Sequence, residues 1–219
     1  MSVLIEAAVE SLDDALAAVE GGADRLELCA NLAAGGTTPP PSLVAAALER
    51  FDLPVFVMIR ARGGSFTYSA AELDRMGRDI ESMRELGADG IVVGVLDARG
   101  LVDPWRMEPL IAAAGELPIT FHRAFDRVPD RCAALEALID LRVDRVLTSG
   151  GAPSALAGAD AIRELVEHAG DEIVIMAGGG VRPNNAAELV DSTGVRELHA
   201  RCELDSWRIA EIRRAVAAL

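Results

Sequence analysis

Phe121-His122-Arg123-Ala124-Phe125-Asp126 closes a short apolar run that begins at Leu117, and it sets a histidine, an arginine and an aspartate at the end of what reads as a β-strand. A strand that ends in polar side chains and feeds a helix is how an α/β barrel presents a site at the C-terminal ends of its strands. With this strand placed at Ile119–His122, seven similar runs flank it: Leu4–Val9, Arg25–Cys29, Val55–Arg60, Ile91–Val95, Arg145–Thr148, Ile173–Met176 and Glu197–His199. Alanine- and leucine-rich segments of helical length separate them. Eight βα units in 219 residues predict an α/β protein of one domain, residues 1–219, folded as a compact (β/α)8 TIM-type barrel. Helix starts are marked by Ser11 with Asp14, Ser69 with Glu72 and Asp103-Pro104, and helix ends by Gly21, Gly87 and Gly170. A recurrent joint precedes several strands, at Gly22-Ala23-Asp24-Arg25, Gly87-Ala88-Asp89-Gly90 and Leu141 to Arg145. These joints fall on the N-terminal face, which serves stability.

Strand parity then sorts the polar residues. If the apolar side chains Ile5, Ala7 and Val9, and Leu26 and Leu28, face the surrounding helices, Glu6, Ala8, Arg25, Glu27 and Cys29 face the barrel interior. The same alternation turns Arg60, Thr120, His122, Glu197 and His199 inward. The upper barrel is expected to hold Glu6, Glu27, Arg60, His122 and His199 together. Charged groups in such a place cost several kcal/mol each unless they are paired. One explanation is structural: Glu27 and Arg60 form a buried ion pair and the histidines hydrogen-bond within the core. The other is a ligand site, favoured because five ionisable groups on separate strands exceed what closing a barrel needs.

On that reading Glu27, Arg60 and His122 are candidate catalytic residues, with Glu27 or His122 as acid or base and Arg60 as an anion clamp. Glu6, Arg62, Arg123, Asp126 and His199 are candidates for ligand binding. Two glycine runs at strand ends, Thr148-Ser149-Gly150-Gly151 and Gly178-Gly179-Gly180, add Ser149, Gly150, Gly179 and Gly180, whose backbone N–H groups are expected to cradle a phosphate.

The chain carries 21 lysines and arginines against 35 aspartates and glutamates, a formal net charge of −14. That excludes the basic footprint of a nucleic-acid or anionic-membrane binder and leaves a small molecule, a metal or another protein as partner. No secretory pattern opens the sequence and no apolar run is long enough to span a bilayer, so a cytoplasmic location is expected. Cys29, Cys132 and Cys202 form no Cys-x-x-Cys pair and are expected as free thiols. The spacing Cys132, Leu135, Leu138 places Cys132 in a helical core stripe, and His168 reads as a solvent-facing residue near a helix end.

Leu26 to Leu32 with Gly35 to Pro39, Val57 to Gly64, Thr120 to Asp126, Leu147 to Gly150 and Met176 to Val181 together resemble the CutC copper homeostasis proteins, in order along the chain. The resemblance implies a (β/α)8-type barrel, a cytoplasmic location, self-association into a homo-oligomer, and a role in copper handling. It also implies two copper-ligating cysteines on the first two strands; one falls at Cys29 and the other at Ala8. Cu(I) prefers soft thiolate and thioether ligands, so one thiolate predicts a weak site unless Met58, Met176, His122 or Cys202 completes it. The alternative is a barrel enzyme acting on a small, phosphorylated metabolite.

Overall fold

A computed structural model describes residues 3–202 and 206–217 of the chain. Eight strands, β1 (Leu4–Val9), β2 (Arg25–Leu28), β3 (Val55–Met58), β4 (Gly90–Val93), β5 (Ile119–Phe121), β6 (Arg145–Thr148), β7 (Val174–Gly178) and β8 (Glu197–Arg201), close into a parallel barrel in chain order. Among the described residues eight α-helices alternate with them: α1 (Leu12–Glu20), α2 (Pro41–Arg50), α3 (Ala70–Leu86), α4 (Pro104–Ala114), α5 (Arg131–Asp140), α6 (Ala159–Ala169), α7 (Ala186–Thr193) and α8 (Ser206–Ala217). This is a TIM barrel. β8 runs two residues past its expected end, and Glu203, just beyond it, lies outside the described residues.

The local signals act as their chemistry requires. Ser11 and Asp103 accept the backbone N–H of Asp14 and Arg106, and Ser69 with Glu72 forms a reciprocal capping box. At the end of α1 the left-handed residue is Gly22, one position beyond the expected Gly21. The recurrent joints are stitches: Asp24, Asp89 and Asp144 each accept a backbone N–H from the start of the preceding strand, the second residue of β1 (Ile5) and the first of β3 and β5 (Val55 and Ile119), at 2.7 to 2.8 Å. Each aspartate thus satisfies an edge amide on the N-terminal face and fixes the register of two neighbouring strands.

The apolar phase of every strand packs outward against the helices, forming the main core with Ile5, Leu26, Val57, Ile91, Phe121 and Val146. Inside, the lower barrel holds charge. Glu197 accepts from Arg25 at 2.6 Å and from Arg145 at 2.6 and 3.2 Å, while Arg25 also bonds Glu6. The two guanidinium groups flank the Phe56 ring at 4.8 and 5.5 Å. Cys132 departs from its expected core position and is exposed. The buried stripe of α5 runs through Ala134, Leu135 and Leu138, so Cys132, in the first turn, lies off it. His168 is exposed, as expected, against Glu136 on α5.

Truncating Glu197 to Ala leaves Arg25 and Arg145 buried without their shared carboxylate, and urea denaturation should show a loss of about 3–5 kcal/mol. Asp144→Ala, which strands only the Ile119 N–H, should cost about 1–3 kcal/mol. A Glu197→Ala variant as stable as the parent would show that the lower layer contributes nothing to the barrel.

Candidate functional site

Directly above this layer, at the C-terminal ends of the strands, lies a cavity of about 290 Å³. Glu27 on β2 and His199 on β8 lie on its inner wall, brought together because both flank β1 in the closed sheet. His199 Nδ1 contacts Glu6 Oε1 at 2.9 Å, and its Nε2 faces Glu27 Oε2 at 3.7 Å. Cys29 Sγ donates to the same Glu27 oxygen at 3.5 Å, while Glu27 Oε1 is buried with no partner. Burial, reinforced by Glu6, outweighs the pull of His199 and lifts the Glu27 carboxyl to about 6. For His199 burial opposes charge, but Glu27 and Glu6 beside it prevail and raise its pKa above the ordinary value. Burial also opposes the Glu6 charge, yet His199 and Arg25 overcome it and hold that carboxyl down at about 2. Glu6 is therefore a fixed anion, and Glu27 is poised to change charge near neutrality.

Further round the barrel stand Arg60, just past β3, and His122, just past β5. Arg60 does not pair with Glu27. Its Nη1 donates to the carbonyls of Gly35 and Gly36 at 3.0 and 3.1 Å and its Nη2 to Gly64 at 2.9 Å, so most of the expected anion clamp is spent on holding two loops. Only Nε is without a partner. The guanidinium lies over Phe66 at 4.6 Å, and the same ring packs against His122 at 5.0 Å. Burial, and then the charge of Arg60, drive the His122 pKa down to about 3, so the imidazole is neutral. Its Nδ1 accepts the Ala124 N–H at 3.2 Å and its Nε2 is buried without a partner. A Cβ at position 94 would fall 2.5 Å from this ring, so Gly94 is what lets His122 lie where it does.

The two glycine runs behave differently. Asp126 Oδ1 accepts from Thr148 Oγ1, Ser149 N–H and Gly151 N–H, and Thr148 Oγ1 accepts from Gly150 N–H. The expected cradle at Gly150 is thus satisfied internally by a carboxylate, which also repels an incoming anion. Asp126 and Ser149 are therefore loop fasteners. The Gly179-Gly180 turn is left-handed, at φ 103° and 76°, and the N–H groups of Gly179, Gly180 and Val181 have no partner among the described residues. Arg123, held by Asp126 Oδ2 at 2.7 Å and Ser149 Oγ at 3.0 Å, packs its guanidinium against Gly179.

The structure brings Glu27, Arg60, His122, Arg123, Gly179, Gly180, His199 and Cys29 to one cavity. Glu6 lies beneath it, fully buried. Arg62 points away, bonding Glu72 at 2.7 Å and the carbonyls of Ser65 and Thr67, and serves to brace the loop before α3. The sequence reading did not name Arg182 and Arg201, which also line the cavity. Arg201 falls at the inward parity of β8, which a strand ended at His199 concealed, and Arg182 carries no periodic signal at all.

Copper fits this donor set poorly. Cys29 is the cavity's thiol, and burial followed by the Glu27 charge pushes its pKa well above the ordinary thiol value, so it resists becoming the thiolate that Cu(I) prefers. Of its expected helpers, Met58 lines the cavity, Met176 lies below against Arg25 at 3.4 Å, and Cys202 is buried in the outer apolar layer. Glu6, Glu27 and His199 each place a donor atom within 4.8 Å of the others, but Glu6 is already committed to Arg25 and His199.

Fold and cavity together define a TIM-barrel protein with a pocket lined by charged side chains at the C-terminal ends of its strands. The chain belongs to the CutC family, whose description matches residues 3–203. It is 50% identical over 197 residues to a family protein CutC of Caulobacter vibrioides, spanning 90% of this chain and 80% of that one. A counterpart in Mesorhizobium japonicum is 48% identical over 196 residues, with 90% and 76% covered. A crystal structure of a Streptococcus agalactiae CutC, described as a copper homeostasis protein, superposes with a TM-score of 0.86 at 37% identity, covering 90% of this chain and 97% of that one. Thiamine phosphate pyrophosphorylase from Pyrococcus furiosus, at 17% identity and a TM-score of 0.66, shares the fold.

Glu27→Gln and His122→Asn should each change the unfolding free energy by less than about 1.5 kcal/mol near pH 7, because His122 is neutral and Glu27 meets His199 only in a long contact of 3.7 Å. The pH dependence carries a sign. A carboxyl raised from 4.5 to about 6 on folding favours the folded state at low pH and loses that advantage as pH rises through 6. Glu27→Gln should therefore gain stability relative to the parent between about pH 4.5 and 6, followed by urea titration at each pH. Losses above about 3 kcal/mol for both variants would mark these groups as structural supports.

Proposed function

We propose that this CutC-family barrel is an enzyme that transfers a proton on a small anionic metabolite, with Glu27 as the acid/base group. The observation that supports this best is the Glu27 carboxyl itself, buried on the wall of the cavity with Oε1 unpartnered. A carboxylate kept for stability alone would engage both oxygens, as Glu197 does one layer below, whereas Glu27 meets His199 and Cys29 through Oε2 alone. His199, aligned through Nδ1 by Glu6, faces the other Glu27 oxygen and sets its charge. The free amides at Gly179 to Val181, with Arg123, supply the attraction for an anionic ligand. We propose that the barrel acts in the cytoplasm as a homo-oligomer, a reading with which the lack, among the described residues, of a helix long and apolar enough to cross a membrane agrees.

The relatives' name ties the family to copper homeostasis. For this chain we infer only modest Cu(I) binding through Cys29, since the family's second cysteine position holds Ala8. Competition titration should give an affinity that rises with pH as the thiol loses its proton and falls in Cys29→Ser. Subnanomolar binding that survives Cys29→Ser would place the copper elsewhere.

The enzymatic reading is tested by a thermal-shift screen of phosphorylated and carboxylated metabolites, followed by turnover assays on those that stabilise the fold. Glu27→Gln should keep the ligand-induced shift and lose about 100-fold or more in turnover. Turnover unaffected by Glu27→Gln would overturn the assignment.

A further inference from the structure

The proposal above leaves the substrate's functional groups open, and the far wall of the cavity narrows them. The Ala124 N–H must donate, so His122 Nδ1 accepts and the proton of the neutral ring resides on Nε2. That N–H has no acceptor among the described residues. Phe66 on one side and the gap left by Gly94 fix the ring in place. A rigid, neutral N–H donor lacks the charge to capture an anion by itself. It suits an oxygen that gains charge during reaction, which is how a neutral histidine polarises a substrate carbonyl in other barrel enzymes.

The second constraint is the turn after β7. Three consecutive amides, Gly179 to Val181, have no partner among the described residues, and the Arg123 guanidinium is fixed beside them by Asp126 and Ser149. The equivalent amides after β6 are all taken up by Asp126 and Thr148. Of the two glycine turns, the one after β7 keeps free amides among the described residues, and it stands next to His199 on β8 and across from His122 on β5.

We infer that the substrate is a small carbonyl compound ending in a phosphate or carboxylate, its anionic end on the Gly179–Val181 amides and Arg123 and its carbonyl oxygen on His122 Nε2–H. This rests on the reading of Glu27 as the acid/base group. In the reaction Glu27 Oε1 takes a proton from the carbon next to the carbonyl. The C–H electron pair becomes the C=C bond of an enolate, and the carbonyl π pair moves onto the oxygen held by His122. Glu27 then returns the proton to carbon, so the cycle closes without an oxidant, reductant or leaving group.

Enolate mimics test this directly by calorimetry: phosphoglycolohydroxamate for a phosphate end and oxalate for a carboxylate end, each compared with inorganic phosphate. At least one mimic should bind about tenfold or more tightly than inorganic phosphate, and the one that does identifies the terminal group. His122→Phe should remove that advantage while leaving the inorganic phosphate affinity unchanged. Should His122→Phe fold poorly, 15N spectra of the histidine-labelled parent give a second measure, in which His122 Nδ1 must be the unprotonated nitrogen. Two mimics that bind no better than inorganic phosphate, or a protonated Nδ1, would overturn the inference. If instead a substrate without a carbonyl shows Glu27-dependent turnover, this inference falls and the acid–base function stands.

Discussion

Glu6 carries the structure and the site on one carboxylate. Its Oε2 binds Arg25, which ties it to Glu197 and Arg145 in the charged layer of the lower barrel, and its Oε1 holds His199 Nδ1 in the cavity above. Burial alone would keep this group neutral, yet the two cationic partners hold it ionised. The consequence reaches upward: a fixed anion behind His199 favours the imidazolium, and the Glu6 and His199 charges together decide how readily Glu27 gives up its proton. An apolar residue at position 6 would close the barrel as well, but it would leave Arg25 with Glu197 alone, a carboxylate it shares with Arg145, and His199 without orientation.

Buried polar groups in this barrel fall into two populations. In the lower layer the charged heads of Glu6, Arg25, Arg145 and Glu197 each have a counterpart, and the Arg25 and Arg145 guanidinium groups lie against Phe56. In the upper layer Glu27 Oε1, Arg60 Nε and His122 Nε2, buried atoms of three residues that line one cavity, have no partner among the described residues. Unsatisfied buried groups are expensive, and their concentration at the strand ends, in a protein that pairs its charges so fully in the layer below, is the observation on which the proposed ligand site rests. The loops that close over it are held by structural use of residues that look functional: Arg60 grips two loops through carbonyls, Arg62 braces the loop before α3, and Asp126 fastens the loop after β6.

The sequence by itself determined the barrel and its inward set. Period-two alternation, with glycine, proline and capping residues between strands, placed all eight strands, because outward positions must be apolar to pack on helices and inward positions are free to be polar. That parity found Glu6, Glu27, Arg60, His122 and His199, and it found Arg25 and Glu197 as well. It could not say which of these pair with one another. Pairing depends on the stagger of the closed sheet, which sets Glu197 within reach of both Arg25 and Arg145 and leaves Glu27 apart from Arg60, a distance no spacing along the chain encodes. Only the tertiary structure separated the two glycine runs, which look alike as sequence. One meets Asp126 from the preceding loop and has its amides filled, while the other meets a guanidinium and stays open, since the state of a backbone N–H depends on what the rest of the chain brings to it.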